Sequence, residues 1–334
     1  MPSTFKIQGR FKIQGVVSTT YGSPDLVAWV KTLKNNSLTL PSDTVLSALE
    51  ALMEGLQNTG LRSKISRLNL FCGGDYISSF FPIIKDVGLT WDYNGIYGLT
   101  VSSLASGPFQ AADWSLTQGF NAANNATYVV SGNVTGNTNT NTLKVIDTTF
   151  AGNNSVINNY SAHLATYISG INAGSTVTTI ADLGTTAFFS IQAGAGGNNG
   201  SNNTIRSNIY AQSTQDTATY TYSSGFVPQG FYIGSRTSNT SNTIYKNGSA
   251  PSAANNPNTQ TALTTPPTST ASFILFGRPT TSNAGPGAAN KALTNVTDRT
   301  ISMYSIGSGL TNTDVANYNN LIKAFNTAIG RTNY

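Results

Sequence analysis

From Leu61 onward the chain is written in short apolar runs separated by clusters of Gly, Asn, Ser and Thr, and this punctuation constrains the fold more than any other feature. The clearest runs are residues 68–72, 128–130, 143–146, 187–191, 230–233, 273–276 and 301–306. Each is too short for a stable helix and is bounded by residues that favour turns, so each reads as a β-strand. Many short strands at such spacing build a sandwich or a barrel. Cys72 ends the first run and reads as a small buried hydrophobe. Residues 132–142, 193–203, 250–267 and 280–290 are rich in Asn, Thr, Gly and Pro and suit exposed connections.

Two segments carry a helical period instead. After Pro24, a first-turn residue, Leu26, Val27, Val30 and Leu33 share one face. After Pro41, Ser42 or Asp43 can cap a second helix whose stripe is Leu46, Leu49, Leu52, Met53 and Leu56, with Asn58-Thr59-Gly60 as its stop. Glu50 and Glu54 lie one turn apart on it and read as a solvated outer face rather than a cation site. A last helix spans 312–329, capped by Thr311 or Thr313, with Val315, Tyr318, Leu321, Ile322, Phe325 and Ile329 as its apolar stripe and Gly330 as its stop. The expected organisation is an N-terminal β arm over 1–20, a helical segment over 21–60 and one β domain over 61–334.

Composition narrows the chemistry. Charged residues make up 9% of the chain, while 39% hydrophobic and 10% aromatic residues supply enough apolar area for a folded core. The formal charge of +5 is scattered apart from Arg62, Lys64 and Arg67, which form no tight stripe, so a nucleic-acid footprint is not expected. No apolar h-region follows Met1 and no run approaches the ~18 apolar residues of a membrane span, so neither classical secretion nor a membrane partner is expected. One cysteine excludes an internal disulfide.

No Glu occurs after Glu54, and the later chain holds one histidine, His163. A sugar hydrolase usually needs two carboxylates across one bond, a triad needs His beside a nucleophile, and a zinc site needs three or four ligands. The nine Asp residues beyond Glu54 are dispersed singly, with no alternating pair on one strand. Asp92-Tyr93-Asn94 has the oxygen-rich alternation of a calcium loop without its later acidic ligands and reads as a turn. His163 reads as a hydrogen-bonded structural histidine. The expectation is a protein that is not an enzyme and carries no cofactor and no metal.

At the N-terminus, residues 5–9 (Phe-Lys-Ile-Gln-Gly) recur as residues 11–15. Phe5, Ile7, Phe11 and Ile13 alternate with polar residues as on a strand; an ordinary hairpin and an assembly arm that adds a strand to a neighbouring subunit both fit.

The order of several stretches carries a resemblance. Residues 61–71, the stretch 91–100, residues 113–121, Ser235-Arg236-Thr237 followed by Tyr245-Lys246-Asn247-Gly248, the strand 301–309 and the entry Gly309-Leu310-Thr311 to the last helix together resemble the concanavalin A-like (laminin-G-like) jelly-roll domains of tailed-bacteriophage and prophage structural proteins. The resemblance spans roughly 61–334, and its two most specific motifs are not catalytic. It implies a mainly β fold, a jelly-roll β-sandwich with an N-terminal arm and helices and a C-terminal helix. It implies a setting on a virion surface, made in the host cytoplasm: a non-enzymatic structural protein, as head decoration, fibre or tail appendage. Its partners would be other virion proteins and its own copies. The alternative is a carbohydrate-binding adhesin for a host-surface glycan, and a polysaccharide hydrolase ranks third. For a sugar, Trp91, Asp92, Tyr93, Asn94 and Tyr97 offer an aromatic platform beside hydrogen-bonding groups, although buried sandwich aromatics read the same way.

Overall fold

The computed structural model describes residues 21–86, 88–94, 104–105, 107–123, 144–151, 161–170, 183–186, 189–193, 204–209, 218–221, 229–238, 240–250, 272–279, 293–294, 297 and 299–332. The assembly arm Phe5, Ile7, Phe11 and Ile13, the run 128–130 and Tyr97 lie outside them.

The described residues are mostly β, in antiparallel sheets, with three α-helices among them. Its strands in chain order are β1 (Ile65–Asn69), β2 (Ile84–Lys85), β3 (Tyr93–Asn94), β4 (Trp114–Ser115), β5 (Gly119–Asn121), β6 (Ile146–Ala151), β7 (Ala162–Gly170), β8 (Leu183–Thr186) and β9 (Phe189–Ala193). They continue with β10 (Thr204–Ile209), β11 (Ala218–Thr221), β12 (Gly230–Ser238), β13 (Ser241–Lys246), β14 (Ser272–Leu275), β15 (Arg278–Pro279), β16 (Leu293–Thr294) and β17 (Thr300–Gly307). The first sheet runs β13-β12-β7-β17-β1-β2, with β5 joining β17 and β4 joining β5. The second runs β11-β10-β9-β8-β14-β6-β3, and β15 pairs β16 separately. The expected strands that fall on described residues form within a few residues of their runs, except that Cys72 falls beyond the end of β1, where it is buried.

The helices are α1 (Pro24–Asn35), α2 (Asp43–Asn58) and α3 (Asn312–Ala328). Ser42 caps α2 by accepting from the Val45 amide, and Thr311 caps α3 in a reciprocal box with Asp314. Glu50 departs from the expected solvated face: its Oε1 accepts from the amides of Gly22 and Ser23, serving as the cap of α1 where the Ser23 side chain makes no capping bond. α3 packs on α2, and the Tyr318 ring meets Phe231 of β12 edge-on at 5.2 Å, which places the helix against one face of the first sheet. The Trp29 indole donates to the Phe81 carbonyl and ties α1 to the same body. No described helix is long and apolar enough to cross a membrane.

The opposite face of the first sheet meets the second sheet. On β12 the residues alternate, so Phe231, Ile233, Ser235 and Thr237 face the helix side while Tyr232, Gly234 and Arg236 face the second sheet. A Cβ at Gly234 would sit 2.2 Å from Ser207 Oγ and 3.0 Å from Ser207 Cβ of β10, so the absence of a side chain helps the sheets approach closely here. Arg236 Nη1 donates to the Ile209 carbonyl and Asn242 Nδ2 to the Ser207 carbonyl, both at 3.0 Å, which satisfies buried polar groups between the sheets. The β13 end closes in a turn in which Asn247 (φ 50°) and Gly248 (φ 80°) both take positive φ, the geometry expected of this dipeptide.

Candidate functional site

β13 is the edge of the first sheet and pairs with β12 in the register Ile233 with Tyr245, Ser235 with Thr243 and Ser238 with Ser241. With a period of two, Ser241, Thr243 and Tyr245 fall on the same face as Ser235 and Thr237. Two paired strands therefore present a ladder of hydroxyls on the helix side of the sheet. α3 covers this face only as far as its own first turn. Beyond that turn Thr237, Ser241 and Thr243 reach the surface while Ser235 and Tyr245 stay buried at the base, and a cleft of about 490 Å³ forms between β12, β13 and residues 310–313. That volume lies within the range of small-ligand sites, ~300–1,000 Å³.

Its wall is built rather than loose. Ser235 Oγ donates to the Leu310 carbonyl at 2.8 Å and accepts from the Leu310 amide at 2.7 Å. The Gly309 amide donates to Ser161 Oγ at 2.9 Å, and His163 Nδ1 lies 2.6 Å from the Ser308 carbonyl. The Tyr245 hydroxyl donates to Asn312 Oδ1 at 2.6 Å, fixing the ring and the amide together across the cleft. Thr237 Oγ1 and Ser241 Oγ are joined at 3.3 Å. Burial raises the Tyr245 phenol above its ordinary range, so it stays a neutral hydroxyl. All the lining side chains are uncharged: Ser, Thr, Tyr, Asn and Leu310.

The expected sugar platform is placed otherwise. The Asp92 carboxylate is fully buried: Oδ1 accepts from Arg67 Nη2 at 2.7 Å and from the Tyr304 hydroxyl at 2.7 Å, while Oδ2 accepts from Asn69 Nδ2 at 2.8 Å. Burial lifts this carboxyl above the usual range, and Arg67, Asn69 and Tyr304 oppose the lift. Asn94 is also fully buried; its amide donates to the carbonyls of Leu104 and Phe109 and accepts from the Phe109 amide. Tyr93 is buried in β3, and Trp91 packs half-buried against Phe81 with its indole N–H enclosed and unpartnered. The hydrogen-bonding capacity of Asp92 and Asn94 is thus spent inside the fold.

His163 stands at the start of β7 and is wholly buried, with Nε2 3.2 Å from Ser305 Oγ. Burial pushes its pKa down to about 4. No cluster of three or more His, Cys, Asp or Glu suited to a metal occurs among the described residues.

The cleft residues were missed as a set because their meeting is tertiary. The signal available was parity: Ser-x-Thr at 235–237 opposite Ser-x-Thr-x-Tyr at 241–245.

No family model matches the chain, and no curated protein matches it. Solved structures do. It is similar to Trypanosoma rangeli sialidase in complex with sialic acid (TM-score 0.31, 11% identity, 48% of this chain and 23% of that one). It is also similar to Domain 4 of AbnA, a GH43 extracellular arabinanase from Geobacillus stearothermophilus, in complex with arabinotriose (TM-score 0.38, 14% identity, 76% of this chain and 98% of that one). These matches correct two expectations. Sialidases and an arabinanase domain stand where virion proteins were expected, so the reading as a bacteriophage virion structural protein is withdrawn, and so is the statement that the chain is not an enzyme. The match spans about a quarter of the sialidase chain, and at these scores it transfers neither substrate nor site residues.

Proposed function

We propose that the chain is a carbohydrate-binding β domain whose site is the cleft between β12, β13 and the start of α3. The observation that supports this reading is the hydroxyl ladder Ser235, Thr237, Ser241, Thr243 and Tyr245 facing Asn312 across a cleft of about 490 Å³. A saccharide presents both donors and acceptors around a ring, and hydroxyls and amides answer either, whereas a charged group answers one. The fixed Tyr245–Asn312 pair offers pre-organised partners, which lowers the ordering cost of binding. The stacked antiparallel sheets with helices on one outer face support a jelly-roll sandwich of the concanavalin A-like kind, with 21–60 as a helical brace on the β domain.

The test is binding of the full chain to an immobilised oligosaccharide panel, followed by calorimetry on the best binder. Thr243→Val keeps the shape and removes a hydroxyl. A weakening of about fivefold to tenfold, the weight of one net hydrogen bond, is expected without change in melting temperature. Saccharide binding that Thr243→Val and Tyr245→Phe both leave unchanged would place the site elsewhere.

A further inference from the structure

Resting on that reading, we infer that the cleft selects neutral saccharides over acidic ones. A carboxylate entering it would give up hydration and meet no cation, because every lining side chain is uncharged. The cation nearest in sequence on β13, Lys246, has the opposite parity and lies over the Tyr232 ring, 5.6 Å from its centroid, on the face turned to the second sheet.

The start of α3 could supply positive potential in place of a side chain, since free amides at a helix N-terminus attract anions. Here two amides of that end, those of Thr311 and Asp314, are already answered, and a carboxylate stands beside the rest. Asp314 Oδ2 accepts from the Thr311 amide at 2.8 Å and from Thr311 Oγ1 at 2.7 Å, and the Asp314 amide donates back to Thr311 Oγ1. Burial works against ionisation of Asp314, but the bonds from Lys64 and Thr311 prevail and hold it below the usual carboxylate range. Lys64 Nζ is itself engaged by Asp314 at 2.6 Å. A resident carboxylate therefore sits where an acidic sugar would need a positive end, and its counter-charge is taken.

The test uses the full chain in calorimetry against two matched sets: lactose, maltotriose, cellotriose and arabinotriose, and sialyllactose and trigalacturonate. The best neutral ligand should bind at least about tenfold more tightly than either acidic one. Thr313→Lys, on the exposed rim, supplies the missing cation and should raise acidic affinity about fivefold, the weight of one surface ion pair, while Thr313→Gln should not. Equal or tighter binding of the acidic set by the natural chain would overturn the selectivity and leave carbohydrate binding standing. Unchanged selectivity in Thr313→Lys, with neutral binding intact, would overturn the location of the discrimination in this cleft. Binding of neither set would overturn the carbohydrate reading, and the selectivity with it.

Discussion

Glu50 of α2 closes the open end of α1, its Oε1 accepting from the Ser23 amide at 2.9 Å and from the Gly22 amide beside it. A cap lent by a neighbouring helix stabilises α1 and fixes the angle between the two helices at once. Glu50→Ala should destabilise the protein by about 1–2 kcal/mol, whereas Glu50→Gln, which keeps one acceptor, should lose less. Urea unfolding of both variants measures the difference; equal losses would show that the acceptor is not what matters.

The buried Arg67–Asp92 pair predicts an asymmetric response. Removing one partner strands a buried charge, so Asp92→Leu or Arg67→Met should each cost about 3–5 kcal/mol. Combining Asp92→Leu with Arg67→Met should cost less than the two single changes added together. A double-mutant cycle by chemical denaturation reads the coupling, and strict additivity would rule it out.

Acid should weaken the fold through His163. Its folded pKa is depressed to about 4 from an ordinary 6.5, so below 6.5 the unfolded state binds the proton that the native state refuses. The contribution is fully present above pH 6.5 and declines as pH falls toward 4, by about 3 kcal/mol in all. His163→Gln should flatten that part of the stability profile. A profile between pH 4 and 7 identical in both proteins would remove His163 as the cause.

Gly234→Ala should force the two sheets apart, since its Cβ would fall 2.2 Å from Ser207 Oγ. A loss of about 1–3 kcal/mol is expected, partly recovered when Ser207→Gly is added. Thermal unfolding of the single and double variants decides it, and a double variant no better than the single one would locate the strain elsewhere.

The helices were legible because their signals are local: Pro24, Ser42 and Thr311 act within one turn of where they stand. The strand runs were legible for the same reason, and their partners were not. Asp92 looked available because nothing near it in sequence answers its charge; its partner Arg67 is 25 positions away and Tyr304 is 212 away. Glu50 looked solvated because the amides it binds lie just ahead of another helix, 27 and 28 positions back. The cleft depends on β13 register and on where α3 begins to cover the sheet, and neither is written in any one segment.

The pairing of β1 with β17 sets Leu68 beside Ser305 in the middle of the first sheet. A ribosome must therefore deliver the chain through β17 before that sheet can close, so β1 and the helices packed near it wait with an unfilled edge during synthesis. Such long-range closure is slow and leaves a template for wrong partners. Expression yield should consequently respond more to the chaperones present during synthesis than to the stability of the finished fold.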